Sequence, residues 1–237
     1  MIYFVSDLHL GVLPRDEDKL REDKFLDFLD MIKADCERLY MVGDIFDYWF
    51  DYKTVIPKEF YRTLAKLKEL SDAGIRIEYL MGNHDFGHRD FFSDELGIEV
   101  IESDIEREHN GKKFYISHGD GKADNDTGYL ILRAILRNKI SNKIYRFIHP
   151  DLGIGLASGS SKKSRAHTSS KEYGENEGMI NFAKKKIEDG FDYVIMGHRH
   201  KKIILEHKGG KYINLGEWFL EPSYGKFDGE KFDLVTI

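Results

Sequence analysis

The chain has 237 residues, 41% of them hydrophobic and 33% charged, with 4 prolines and a formal net charge of −6. That suits one large domain, or a domain with a sizeable insertion, and argues against long disorder and against a general nucleic-acid binder, so no nucleic-acid partner is expected. Cys36 is the single cysteine and can form no intramolecular disulfide, the amino terminus lacks the basic run of a signal peptide, and no apolar stretch reaches the roughly 20 residues of a membrane span. A soluble, cytoplasmic protein is expected.

In chain order, Tyr3–Val5 reads as a buried strand ending at Ser6-Asp7. Over 16–33, Leu20, Phe25, Phe28, Leu29 and Ile32 recur at helical spacing. Arg38–Val42 is a second strand closed by Gly43-Asp44, Lys58–Leu70 a second helix, and Ile75–Met81 a third strand ending at Gly82-Asn83. This alternation predicts a parallel sheet with covering helices. Short strands follow at Ile105–His109 and Lys113–Ser117, with an Asn110-Gly111 hairpin signal between them. A helix from about Glu172 to Glu188 precedes strands at Tyr193–Met196, Ile203–Glu206, Tyr212–Leu215 and Phe232–Thr236, two of them joined at Gly209-Gly210. This half predicts a second, largely antiparallel sheet.

Residues 121–171 read as an insertion within the same domain, whose core is 1–120 and 172–237. Tyr129, Leu132, Leu136, Ile140 and Ile144 mark one apolar helical stripe, and Ile131 and Ile135 a second; residues 153–170 are rich in Gly, Ser and Lys. From Arg133 to Lys171 there are nine basic residues and one acid, Asp151, a local charge of +8 in a net-acidic chain. Such a patch is suited to facing an anion.

Five short motifs stand at the ends of predicted strands: Asp7-x-His9, Gly43-Asp44-x-x-Asp47, Gly82-Asn83-His84-Asp85, His118-Gly119-Asp120 and Gly197-His198-Arg199-His200. Strand ends are where sites assemble in α/β sheets. Asp, Asn and His offer oxygen and imidazole donors for Mn²⁺, Zn²⁺ or Fe, whereas calcium would take oxygens alone. Strand alternation would point Asp7 and His9 the same way, and likewise His198 and His200. A carboxylate bridges two ions best, and the bridging role is assigned to Asp44. Two ions so bridged can clamp an in-line phosphoryl displacement and acidify a shared water.

The five blocks, in order over residues 7–200, resemble the calcineurin-like metallophosphoesterases. The resemblance implies an α+β fold, a four-layer αββα sandwich, here with an inserted helical cap. It implies a first metal at Asp7, His9, Asp44 and His200, and a second at Asp44, Asn83, His118 and His198. It also implies that His84 contacts the phosphoryl group and that Asp85 orients it. A narrower resemblance rests on Gly43–Phe50, His118–Arg133, Ser161–Arg165 and Asn214–Trp218, which are similar to UDP-2,3-diacylglucosamine pyrophosphatases. That family releases UMP and lipid X from a nucleoside-diphosphate lipid, typically with Mn²⁺, beneath a helical cap. The implied substrate contacts are Asp126, Tyr129 and Arg133, with Lys163 and Arg165 as further anion contacts, and the implied location is the inner face of the cytoplasmic membrane. Well-known proteobacterial members carry Arg where this chain has His84.

Other readings stay open at this point. One is an enzyme for a soluble phosphomonoester or phosphodiester. Another is a non-enzymatic metal-binding scaffold, against which the intact ligand set speaks. Asp47 either caps its segment or supports Asp44; Asp120 is expected to hold His118. Arg199 is expected to point away from the metals into a salt bridge. His88, His109, His149, His167 and His207 match no motif, and Trp49, Phe50 and Trp218 are core or rim.

Overall fold

The computed structural model describes residues 1–122, 133–153, 155, 159 and 175–237. Two mixed sheets lie face to face. The first contains β1 (Ile2–Val5), β2 (Arg38–Val42), β3 (Arg76–Leu80), β4 (Glu99–Ile101), β10 (Ser223–Phe227) and β11 (Phe232–Thr236), in the order β11-β10-β1-β2-β3-β4. Within it β1 to β4 are parallel, and β10 and β11 extend it antiparallel. The second contains β5 (Ile105–His109), β6 (Lys112–Ile116), β7 (Tyr193–Met196), β8 (Lys202–His207) and β9 (Gly210–Leu215), in the order β5-β6-β7-β9-β8.

The central strands are apolar on both faces, so each sheet has two faces to cover. Phe4, Tyr40, Val42, Leu80, Phe114, Ile195 and Ile213 point between the sheets and form the inner core. Their strand neighbours Tyr3, Val5, Leu39, Met41, Ile77 and Tyr79 point outward, beneath Phe25, Phe28 and Leu29 of α1 (Arg15–Ile32) and Leu64 and Leu67 of α2 (Tyr61–Asp72). On the far side Tyr115, Val194, Met196 and Tyr212 pack under Met179, Ala183 and Ile187 of a long helix, Glu175–Glu188. The result is the expected four-layer α+β sandwich. One charge enters the inner layer: Glu78, fully buried on β3, is paired with Arg38 and with Arg107 of the opposite sheet.

The second sheet differs from its forecast. The pairings β6–β7 and β7–β9 are parallel, and only the edge strands β5 and β8 pair antiparallel. Phe232–Thr236 joins the first sheet instead. Hairpin signals report only adjacent strands; the long connection from β6 to β7 sets a parallel pairing they cannot reveal. The second tight turn is Lys208-Gly209, both at positive φ, and Gly210 already belongs to β9. β4 and β10 stand outside the strands expected from sequence: β4 has three residues, and β10 carries Gly225 at its centre, where a Cβ would overlap the Phe232 ring.

In the insertion, a helical stretch at 133–136 precedes a short helix, α3 (Lys139–Tyr145), capped by Asn138, whose side-chain oxygen accepts from Ile140 N at 2.8 Å and Ser141 N at 3.4 Å. The Glu175–Glu188 helix is α4 in chain order. The insertion docks through Tyr145 on the Phe50 ring at 4.5 Å and Arg146 Nε on the Asp51 carbonyl at 3.0 Å. Ile135, Leu136, Ile140, Ile144, Phe147 and Leu152 remain exposed. Asp126, Tyr129, Lys163 and Arg165 lie outside the described residues.

Candidate metal centre

The five motifs follow β1, β2, β3, β6 and β7, whose carboxyl ends meet at one edge of the sandwich. The strands end before the motifs begin, so alternation does not aim the side chains as the sequence suggested. Asp7, His9, Asp44, His198 and His200 instead adopt left-handed backbone, with φ of 54°, 49°, 55°, 70° and 54°. Such conformations are disfavoured for residues with a Cβ and persist where the surroundings fix them. Glycines admit the crowding: a Cβ at Gly82 would overlap Asp44, and one at Gly197 would overlap Ser6 and Asp7.

Asp7, His9 and His200 form one cluster of ligand atoms and Asp44, His118 and His198 another. The Nε2 atoms of His9 and His200 are 3.1 Å apart, and Asp7 Oδ1 lies 3.7 and 3.2 Å from them. Asp44 Oδ2 stands between the clusters, 3.6 Å from His9 Nε2 and 3.3 Å from His118 Nε2. Asn83 Oδ1 completes the second, 3.0 Å from His118 Nε2 and 2.9 Å from His198 Nδ1. His84 joins His9 and Asp44 in a third overlapping group, its ring edge-on to His9 at 4.9 Å. All seven forecast ligands therefore converge, with His84 beside them.

These donors fit divalent cations. Asp7 Oδ1 is buried and accepts no hydrogen bond, while Oδ2 is held by the Ser6 hydroxyl at 2.7 Å and His198 N at 2.8 Å. Neither Asp7 nor Asp44 pairs with a Lys or Arg among the described residues. Burial opposes ionisation of Asp7, but the His200 and His9 imidazoles hold its carboxyl well below the usual range; Asp44 is likewise held down, against its burial, by His118, His84 and His9. Burial would lower His118, yet Asp44 pushes it up to about 10, and burial with His118 alongside lowers His198 to about 4. A cation would take the place of the His118 proton, since a ligating imidazole is neutral.

The supporting residues differ from expectation. Asp85 does not reach the His84 ring. Its carboxylate accepts from Gly82 N (2.8 Å), Ile45 N (2.8 Å), Asp44 N (3.2 Å), Phe46 N (3.3 Å) and the Tyr79 hydroxyl, tying the Asp44 loop to the Asn83 loop. Burial and the Asp44 charge push it up to about 6. Asp47 supports His9 and His84, each 3.6 Å from its Oδ1, rather than Asp44. His118 is oriented by the Val42 carbonyl, 2.9 Å from Nδ1, rather than by Asp120. Asp120 Oδ2 instead meets Arg133 at 2.9 Å and Arg137 at 3.5 Å, so Arg133, forecast as a substrate contact, is anchored to the core beside the site.

Ser6, Asn214 and Arg137 were missed as supports. Asn214 Nδ2 donates to the Gly197 carbonyl at 2.6 Å behind His198, and Arg137 Nη2 donates to the Gly82 carbonyl at 2.8 Å beside Asn83. The similar Asn214–Trp218 block was the one signal for Asn214; for Ser6 and Arg137 the sequence held none. His109 bonds Tyr40, His207 bonds Glu188, and Trp49 and Trp218 are core.

The family model for calcineurin-like phosphoesterases matches residues 1–202. A UDP-2,3-diacylglucosamine hydrolase from Porphyromonas gingivalis is 35% identical over 100% of this chain and 97% of its own length. Another protein of that name, from Yersinia pseudotuberculosis, is 28% identical over 99% and 98%. Among solved structures, an archaeal phosphodiesterase aligns over 100% of this chain and 99% of its own, with a TM-score of 0.49 and 16% identity. The family match over most of the chain, with full-length relatives beside it, makes this protein a member of the calcineurin-like phosphoesterases.

Proposed function

We propose that this protein hydrolyses the diphosphate bond of UDP-2,3-diacylglucosamine to UMP and lipid X. The observation that carries the reading is Asp44 Oδ2, buried and shared between two donor clusters, in a chain whose full-length relatives bear that enzyme's name. Asp7, His9, Asp44 and His200 would hold one divalent ion, and Asp44, Asn83, His118 and His198 the second. Mn²⁺ is the first candidate, with Zn²⁺ or Fe as alternatives. When bound, such ions supply Lewis-acid polarisation of the phosphoryl group and a water acidified for attack.

The chain's own residues do the rest. Ser6, Val42, Asn214 and Asp47 fix the ligand side chains or their loops, so little reorganisation accompanies charge development. His84, 14% exposed and next to Asp47, faces the phosphoryl group and stabilises the charge that builds on it or on the leaving oxygen. Asp85 is a positioning residue. Residues 121–171 form a cap whose exposed Ile135, Leu136, Ile140 and Ile144 take the acyl chains at the inner membrane surface. Asp126, Tyr129, Arg133, Lys163 and Arg165 contact the sugar and diphosphate. Among the described residues no helix is long and apolar enough to cross a membrane, and binding there is peripheral.

The test follows UMP release from UDP-2,3-diacylglucosamine by the Mn²⁺-loaded chain and by Asp44→Ala. Turnover is expected for the first alone. Equal kcat/KM on the lipid and on a water-soluble diester would overturn the lipid assignment in favour of a soluble phosphoester.

A further inference from the structure

The connection from β4 to β5 and the helical stretch at 133–136 enclose a cleft of about 200 Å³ that has His118 in its wall. Arg137 builds one side. Its Nη2 donates to the Gly82 carbonyl at 2.8 Å, its Nη1 to the Glu102 carbonyl at 3.3 Å, and its Nε is buried without an acceptor. Arg133 stands beside it, and both guanidinium groups reach Asp120 Oδ2. Glu102 and Ser103 line the cleft and are exposed, and their side chains make no hydrogen bond or ion pair among the described residues. Met81 adds a soft apolar wall.

We propose that this cleft is the nucleotide subsite. The phosphate lies by His118 and Arg137, the ribose 2′-hydroxyl donates to Glu102 with Ser103 alongside, and the base lies against Met81. The inference rests on the substrate class proposed above and deepens it. A nucleoside-diphosphate lipid carries two ends of opposite character, and the protein offers two surfaces to match. Alkyl chains laid in this cleft would strip water from Glu102 and the arginines without compensation, whereas the exposed apolar side chains of α3 present no such cost. A nucleoside supplies a hydroxyl donor for the Glu102 carboxylate, which is unpaired among the described residues, the arrangement by which acidic residues read a ribose. The guanidinium pair lines the same cleft as the candidate ligand His118, with Arg137 on the Gly82 carbonyl next to Asn83 and Arg133 on Asp120, two residues from His118, where a phosphate to be cut would lie.

Calorimetric titration of the Mn²⁺-loaded full chain with UMP, 2′-deoxy-UMP and inorganic phosphate tests this without turnover. A hydrogen bond to a charged acceptor is worth about 1.5–3 kcal/mol, so UMP is expected to bind at least about tenfold more tightly than its deoxy form. In Glu102→Ala, a change at an exposed side chain, UMP should fall to the affinity of the deoxy compound, whose own binding stays put. Equal binding of UMP and 2′-deoxy-UMP by the wild type, an unchanged ratio in Glu102→Ala, phosphate binding as tightly as UMP, or no UMP binding at all would each overturn the subsite. Hydrolysis of UDP-2,3-diacylglucosamine is measured in parallel. Absence of turnover with the ribose preference intact would sink the proposed reaction while leaving the nucleotide subsite standing.

Discussion

Acidification should destabilise the fold through His88, a residue outside the proposed chemistry. Its ring is enclosed by Trp49, Tyr79 and Phe92, with centroids at 5.7, 4.8 and 4.8 Å, and both nitrogens are buried with no side-chain partner. Burial pushes the imidazole down from 6.5 to about 3, with the Asp85 backbone offsetting little. The unfolded chain therefore takes up a proton as the pH falls below 6.5, and the folded chain does not until about 3. His88 contributes fully above 6.5 and progressively less toward acid, by about 1.4 kcal/mol per pH unit. Between pH 7 and pH 5 that amounts to roughly 2 kcal/mol, a large share of a typical 5–15 kcal/mol. Urea unfolding at both pH values, in chelator, would be compared between the wild type and His88→Phe. Phenylalanine suits the aromatic cage and cannot titrate. Contributions of all other groups are common to both proteins and cancel in the double difference. The wild type should lose about 2 kcal/mol more than the variant; a double difference below about 0.5 kcal/mol would refute the assignment of a buried neutral imidazole.

Three further outcomes follow from the centre. Gly82→Ala would drive a Cβ into the Asp44 carboxylate and backbone, and Mn²⁺ affinity by calorimetry should fall at least about tenfold to a hundredfold. In Asp85→Asn an amide replaces one oxygen of a carboxylate that accepts five donors, leaving at least two of them facing another donor. A loss of about 2–4 kcal/mol in chemical denaturation is expected, because unmet buried donors outweigh the relief of removing a charge raised only to about 6. Wild-type stability with a changed pH–rate profile would instead return Asp85 to the chemistry. Removing metal by chelation should lower the unfolding free energy by about 2.7 kcal/mol relative to protein at a hundredfold excess over Kd, read as a drop in the thermal midpoint.

The sequence alone carried the ligand types, the family resemblance and most of the strands, because each rests on short-range pattern. Asp7, His9, Asp44, Asn83, His118, His198 and His200 announce themselves beside apolar runs, and Arg38–Val42 and Phe232–Thr236 were read to the residue. Tertiary structure decided what those residues touch. Left-handed backbone at Asp7, His9, Asp44, His198 and His200, rather than strand alternation, aims these side chains, because the turns that permit it are enforced by loops distant in sequence. Asp85 turned from orienting His84 to tying two loops, Asp120 from holding His118 to anchoring Arg133, and Val42 gained a role through a carbonyl that no side-chain pattern reports. The parallel pairing of β6, β7 and β9 was equally hidden. Residue identity fixes which groups can bond a cation or a proton, but backbone carbonyls, amides and crossovers acquire their partners only when segments far apart along the chain are packed against one another.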